Sequence, residues 1–393
     1  MERRTFLTRT AAAAAALSLG APGAADTTAR KPYRACIIGD SLQGKYGHSL
    51  HLVWALREDV EVVALADPDE AGREKHAREA GAPRTYADYR QMLEKERPDL
   101  VAVGPRWTAH HREYLLACAE AGAHGILEKP LTPDLAEADE VIAAMAAKNL
   151  KWAIAFNFRA SPEIAHARKL LFEEGLIGDI LEIRGRGKED ARSGGEDLIV
   201  LGIHLFDMMI YFLGKPRWCA SRILVDGRTA ARDDIRDATE ALGPVVGDSL
   251  HAVFGFDRGV PGYFASTKVE NENPGRYGMD IYGSNGIATI RIDPKPTVYY
   301  IQEPSWAPGG KDSIWKRLPD CPEAPEREPG AVAHYAPIID DLIGVIEEDR
   351  APKISLEDGR QATEMIQAVF EAPLHGGYVD MPLKERAHPL SRW

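Results

Sequence analysis

Three residue types in this chain stand at spacings that suit proton and hydride transfer: a lysine, a histidine and a scatter of carboxylates. Lys129 lies in Glu128-Lys129-Pro130, directly after the apolar run Gly125-Ile126-Leu127, which reads as a short buried strand. In an open parallel sheet, ligands collect outside the carboxyl ends of the strands. A lysine at such an end can meet both a bound dinucleotide and a substrate hydroxyl. Pro130 stiffens the exit and disfavours a helical conformation at Lys129. A lone tripeptide of this kind also fits a surface turn, so its weight comes from what flanks it. The second centre is His204, in Gly194-Gly195-Glu196-Asp197 followed by an apolar run to Asp207. A helix over about Glu196 to Leu213 would put Asp197, Leu201, His204 and Met208 on one face. Oxidising an alcohol needs a base for the hydroxyl proton, and histidine is matched to that task near neutrality. The plain alternative is a satisfied core histidine. Gly202 is costly inside a helix unless something approaches closely there. Asp207 is a candidate to orient the imidazole, and an exposed helix charge is the equal alternative.

A dinucleotide site asks for glycines where the backbone turns tightly and approaches pyrophosphate. Gly39-Asp40-Ser41-Leu42-Gln43-Gly44 offers the first and third glycines, with Ser41 in the middle position. Asp67 stands twenty-three residues past Gly44, at the end of the next expected strand. A carboxylate there bonds both ribose hydroxyls and repels a 2′-phosphate, which favours NAD over NADP. The plain alternative for Asp67 is a turn starter before Pro68.

These residues need a scaffold. Residues 33–150 alternate strand and helix patterns: strands at Ala35–Ile38, Val60–Ala66, Leu100–Val103 and Gly125–Leu127. Helices are expected after the glycine loop through Ala55, at 70–80, at His111–Ala121 and from Asp134 to Lys148. This alternation predicts an α/β fold, with an N-terminal doubly wound parallel sheet of Rossmann type. From residue 151 the character changes to a C-terminal α/β domain with a mostly antiparallel open sheet. Its strands are expected at Trp152–Phe156, Ile180–Arg184, Leu250–Phe256, Gly262–Val269, Met279–Tyr282 and Ala288–Ile292. Helices are expected at 161–174, 333–347 and 357–371, and residues 303–330 read as a long irregular loop. The organisation is therefore 1–25, 30–150 and 151–393.

Residues 1–25 read as a targeting segment, with Arg3-Arg4-Thr5-Phe6-Leu7 as a twin-arginine sequence before a short alanine-rich stretch. That stretch is too short to anchor in a bilayer, so the expected destination is the periplasm. The chain carries a formal charge of −12. Loss of residues 1–25 removes three arginines and one glutamate and leaves about −14. Without a basic block, nucleic acid and anionic membrane are excluded as expected partners. The four cysteines are isolated, the histidines are scattered, and no metal site is expected. A mature chain of about 365 residues implies more than one domain.

Taken together, Ile37-Ile38-Gly39, Ala66-Asp67-Pro68-Asp69, Glu128-Lys129-Pro130, Asn157-Phe158-Arg159, the Gly-Gly…Gly202-x-His204-x-x-Asp207 stretch and the ending Gly376 to Pro382 resemble the Gfo/Idh/MocA oxidoreductases over nearly the whole mature chain. The resemblance implies that Lys129 lies near the nicotinamide and the reacting carbon, that His204 is the acid/base, and that the substrate is a sugar, polyol or derivative. The cofactor set expected from these readings together is Gly39, Ser41, Leu42, Gly44, Asp67, Trp107, His111, Glu128 and Lys129, and an exposed antiparallel sheet face in the second domain would be a natural surface for a homo-oligomer. Three departures stand out. Val200 occupies the place of the family's aspartate one turn before the histidine, which leaves Asp197 or Glu196 to substitute. Ser41 replaces the middle glycine, and Trp107 stands where a proline usually does.

The resulting expectation is an exported NAD-dependent oxidoreductase acting on a carbohydrate, with Lys129, His204 and Asp197 as the catalytic set. Free NAD is scarce outside the cytoplasm, so the nicotinamide is expected to be tightly held. The alternatives are an NAD-dependent glycosidase working by transient oxidation and elimination, and a catalytically silent sugar-binding protein on the same scaffold.

Overall fold

Strand-forming runs that are apolar on both faces pair in parallel and stack at the centre of the first half. In the computed structural model, which describes residues 31–269, 274–293, 295–307, 309, 314–322 and 332–393, six parallel strands line up as Thr85–Tyr86, Val60–Ala66, Tyr33–Ile38, Leu100–Val103, His124–Leu127 and Trp152–Ile154. This is the doubly wound order, whose ligand crevice opens where the chain reverses direction, between the ends of Tyr33–Ile38 and Leu100–Val103. All four residues of Leu100–Val103 are buried, as a central parallel strand covered on both faces requires. Residues 1–25, and with them the targeting segment, lie outside the described residues.

Two expectations about the first half change. Trp152–Ile154 belongs to the Rossmann sheet, because it pairs in parallel with Gly125–Leu127; a boundary at 150 falls one strand too early. The long helix expected after the glycine loop is replaced by turns and a short 3₁₀ helix, Leu50–Leu56. Gly44, Lys45, Gly47 and Ser49 all take left-handed φ values between 55° and 81°, which no α-helix accommodates. Three other helices of the first half, Glu70–Ala80, Tyr89–Glu96 and Leu135–Ala147, start at side-chain caps. Asp69 Oδ2 accepts from the Gly72 amide at 2.7 Å and Asp134 Oδ1 from the Glu137 amide at 3.0 Å, each worth about 1 kcal/mol.

The second half carries a ten-stranded sheet. Its strands are antiparallel except where Ile180–Arg186 runs parallel to Pro261–Thr267. Pro216–Val225, Thr297–Ile301 and Tyr378–Asp380 are strands that the sequence reading passes over. Lys316–Arg317 adds an edge strand, so the described part of 303–330 is more than an irregular loop. Three helices cover the junction. Leu356–Glu371 packs on the Ile203–Leu213 helix, on the Leu135–Ala147 helix and on Trp152–Ile154, and so fixes the second half against the Rossmann sheet.

Arg159 fastens the same junction. Its Nη1 lies 2.8 Å from Asp207 Oδ1 and 2.9 Å from Asp358 Oδ1, and its Nη2 donates to the Lys353 carbonyl. Asp207 is buried and bound to this guanidinium, so it is neither the imidazole's orienting group nor an exposed helix charge. Removing one partner of a buried ion pair costs most when the other is stranded. Because Asp358 remains, Asp207→Ala is expected at the low end of that range, a loss of about 3 kcal/mol. A urea titration showing a change below about 0.5 kcal/mol, the range of surface substitutions, would contradict this role.

Candidate active site

The glycine loop is folded tightly onto itself. Asp40 and Lys45 form a two-residue bridge, and Asp40 Oδ1 accepts from the Leu42 and Gln43 amides at 3.0 and 2.9 Å. Gly44 is required twice over. Its φ is 81°, and a Cβ there would sit 2.6 Å from the backbone nitrogens of Arg106 and Trp107. A Cβ on Gly39 would sit 2.0 Å from the Tyr46 ring. Asp67, fully buried at the end of its strand, accepts from Ser41 Oγ and Tyr46 Oη, both at 2.7 Å, and from the Asp69 amide at 2.9 Å. The Ser41 amide lies 3.2 Å from both carboxylate oxygens. Leu42 projects outward, 67% exposed. A cavity of about 250 Å³ opens beside this loop, with Gly39, Asp67, Pro68, Asp88, His110 and Tyr114 in its wall.

A second cavity, of about 460 Å³, lies between the two halves at the strand ends. Lys129, Pro130, Arg106, His48 and Asn157 enter it from the Rossmann side, and Arg192, Val200, Leu201, His204, Glu240 and Tyr277 from the other. Lys129 is buried, and its Nζ donates to the Val200 carbonyl at 2.9 Å. That carbonyl belongs to a π-helical turn, Leu198–Gly202, whose next carbonyl, Leu201, accepts from Tyr277 Oη at 2.8 Å. Turns of this kind recur at functional sites. A Cβ on Gly202 would meet the Phe264 ring at 2.9 Å, which supplies the close approach that its place in the helix demands. His204 is buried against Phe158 and Phe156, with ring centroids 4.4 and 5.9 Å away.

Burial lowers the Lys129 ammonium below its ordinary range, and Glu128 and Glu240 pull it back up. Glu128 is buried behind it. Burial alone would raise its carboxyl, but the charge and hydrogen bond of His48 (Nδ1 to Oε1, 2.9 Å), together with Lys129 and Arg106, hold it below the usual range. Glu240 sits 3.3 Å from Arg192 and 3.8 Å from Arg106. The sign of its effect is testable. Losing the Glu240 charge removes an attraction that favours protonated Lys129, so Glu240→Gln should move the alkaline limb of the kcat/KM profile toward neutral pH. A limb that stays in place or moves to higher pH would count against a lysine ammonium in that limb.

The other candidate residues take varied positions. Asp197 is fully buried, but its carboxylate accepts from Ser266 Oγ at 2.6 Å and from the Glu189 and Lys188 amides at 3.2 and 3.3 Å. It anchors the turn at Gly187 and is not in the cavity wall. The π turn inserts a residue between Asp197 and His204, so the face expected from α-helical spacing does not form. Glu196 bonds Arg236 and Thr239 and holds the loop that presents Glu240. His111 is fully buried and cross-braces the site: Nδ1 lies 2.9 and 3.0 Å from the Pro130 and Leu131 carbonyls, Nε2 2.7 Å from that of Pro105. It therefore positions the Lys129-Pro130 exit rather than facing a ligand. Trp107 flanks Gly44 at the crevice, half-buried. Tyr46, His48, Arg106, Arg192 and Glu240 are the residues that sequence reasoning missed. For Tyr46 and His48 the signal was present in Gly44-Lys45-Tyr46-Gly47-His48, where a helix was expected instead of a loop.

Residues 34–156 match the oxidoreductase family with an NAD-binding Rossmann fold, and residues 171–381 match the oxidoreductase family's C-terminal alpha/beta domain. The chain belongs to the Gfo/Idh/MocA oxidoreductase family. It is 30% identical over 250 residues to levoglucosan dehydrogenase of Pseudarthrobacter phenanthrenivorans, a match spanning 57% of this chain and 63% of that protein. It is 26% identical over 233 residues to myo-inositol 2-dehydrogenase of Thermotoga maritima, covering 55% and 69%. Among solved structures, levoglucosan dehydrogenase in complex with NADH and levoglucosan superposes with a TM-score of 0.71 at 22% identity, over 90% of this chain and all of that one. An NAD-binding oxidoreductase from Klebsiella pneumoniae does so with 0.71 at 20% identity. These superpositions establish the shared fold.

As in the rest of the family, the Rossmann half is an NAD-binding domain. The residues present fit the dinucleotide at both ends. The cavity beside Asp67 offers room for the adenosine half, and a separate cavity holds Lys129. The carboxylate of Asp67 itself is already bonded by Ser41 and Tyr46.

Proposed function

We propose that this protein is an NAD-dependent oxidoreductase acting on a sugar or sugar derivative. The observation that carries the reading is that Lys129 and His204, from opposite halves of the molecule, enter one cavity at the carboxyl ends of the Rossmann strands. NAD, when bound, supplies the nicotinamide that exchanges hydride with the reacting carbon. Lys129 donates to the oxygen on that carbon and stabilises its negative charge. His204 takes the hydroxyl proton in oxidation and returns it in reduction. Beside apolar residues such as Leu242 and Ile292, the wall carries the hydrogen-bonding side chains of Asn157, Arg192, Glu240 and Tyr277, which suit a polyhydroxylated substrate. Relatives named for levoglucosan, myo-inositol and D-glucosides support this substrate class. The twin-arginine sequence at residues 3–7 supports export to the periplasm with the cofactor tightly held. The open face of the ten-stranded sheet is the surface proposed for homo-oligomer formation.

The test is to purify the mature protein, denature it and identify the released dinucleotide by mass spectrometry. Near-stoichiometric NAD or NADH is the expected result. NADP in its place would overturn the preference drawn from Asp67, and a protein that neither carries nor binds NAD would overturn the reading.

A further inference from the structure

The ribose-binding carboxylate of this Rossmann half is already saturated by the chain's own hydroxyls. A carboxylate offers about four lone-pair positions. Asp67 receives two hydroxyls at 2.7 Å, from Ser41 and Tyr46, the Asp69 amide at 2.9 Å and the Ser41 amide at 3.2 Å. The two short bonds are hydroxyl-to-carboxylate bonds, the strong, charge-assisted kind. Asp67 is fully buried and Tyr46 is 3% exposed, so an outside hydroxyl meets a carboxylate whose short bonds are already made. The Tyr46 ring also lies on Gly39 so closely that a Cβ would sit 2.0 Å from it. The first glycine of the fingerprint therefore makes room for this ring. The amides of Leu42 and Gln43, donors of the kind a pyrophosphate uses, are capped by Asp40.

Tyr46 is itself held from behind. Its ring packs on His76 and His51, with centroids 4.1 and 5.0 Å away, and both histidines meet Glu79 Oε2, at 2.9 and 3.1 Å. The same loop carries four left-handed residues between positions 44 and 49. Two of them, Lys45 and Ser49, are not glycine, so the closed loop is conformationally costly and other arrangements are within reach.

We propose that Ser41 and Tyr46 act as built-in stand-ins for the adenosine ribose. The two ribose hydroxyls replace them on Asp67 when NAD binds, and Tyr46 thereby sets cofactor affinity. The exchange is one hydroxyl donor for another, so Asp67 stays satisfied in both states. The loop 40–49 has to open for it. This proposal rests on the NAD-dependent reading above, and its test is by binding, without turnover.

Calorimetric titration of the full mature protein, stripped of dinucleotide, would compare wild type with Tyr46→Phe for NAD, ADP-ribose and nicotinamide mononucleotide. Tyr46→Phe keeps the ring and removes the competing hydroxyl. NAD and ADP-ribose should bind about tenfold more tightly, the equivalent of about 1.4 kcal/mol, with no change for the mononucleotide, which lacks the adenosine ribose. Unchanged or weaker ADP-ribose binding by Tyr46→Phe would overturn the proposal while leaving the NAD-dependent reading intact. Failure of wild type to bind NAD or ADP-ribose would overturn both. Should Tyr46→Phe not fold, hydrogen exchange on wild type decides: ADP-ribose should alter protection of the Ser41, Leu42 and Gln43 amides, and an unaltered loop would refute the exchange.

Discussion

Lys129→Ala is expected to lower kcat for sugar oxidation by about 10³-fold, with NAD affinity within about threefold of wild type. The size follows from its position. Lys129 is a buried cation, flanked by the buried carboxylate of Glu128 and tied to the Val200 carbonyl. Its charge acts where little water screens it, and an interaction made only as charge develops on the substrate oxygen is lost from kcat rather than from binding. Truncation also leaves Glu128 short of one balancing charge, so some loss of stability accompanies the loss of rate. Thermal unfolding separates the two: the variant should still melt cooperatively and still be stabilised by NAD. A folded, NAD-binding Lys129→Ala protein with wild-type turnover would remove Lys129 from the mechanism.

His204→Gln is the second large effect, a fall of about 10²–10³ in kcat. The amide keeps hydrogen-bonding capacity and approximate size beside Phe158 and Phe156, but cannot take up a proton. The base must be unprotonated to accept the hydroxyl proton, so the wild-type oxidation rate rises with pH. In His204→Gln that rise should vanish, leaving a flat lower limb. A merely structural histidine would instead lower the rate equally at every pH and leave the shape of the profile unchanged. Steady-state kcat measured across a broad pH range distinguishes these outcomes.

How much of this was legible in the sequence depended on whether local spacing decided the geometry. The parallel sheet was readable because three of its strands are apolar runs closed by a polar motif, Ile37-Ile38-Gly39, Ala66-Asp67-Pro68 and Leu127-Glu128-Lys129, while the short, half-exposed Thr85–Tyr86 strand gave no such signal. The helix His111–Ala121 was equally plain from its spacing. Lys129 and His204 were legible as chemistry, and the fold brings them into one cavity. Asp197 was not, because its expected alignment with His204 assumed 3.6 residues per turn. The π turn over Leu198–Gly202 rotates it toward Ser266 instead. The loop at 40–49 escaped for a related reason: apolar residues at Leu50, Val53 and Trp54 mimic a helix, while left-handed backbone at Lys45 and Ser49 forbids one before them. Glu240 and Arg192 could not be placed at all, since they join the site only through the packing of distant segments. The grouping of His51, His76 and Glu79 was hidden in the same way, their contact being made by two elements either side of the Val60–Ala66 strand.

The central claim is that the cavity shared by Lys129 and His204 moves hydride between a carbohydrate and NAD. The most direct measurement is NADH formation by the purified mature protein, with NAD added, across a panel of anhydrosugars, glucosides and inositols, run in parallel with Lys129→Ala. Sugar-dependent NADH is expected from at least one member of the panel, and about a thousandfold less from the variant. Equal rates from both proteins, or NAD bound with no sugar-dependent NADH across the whole panel, would contradict it.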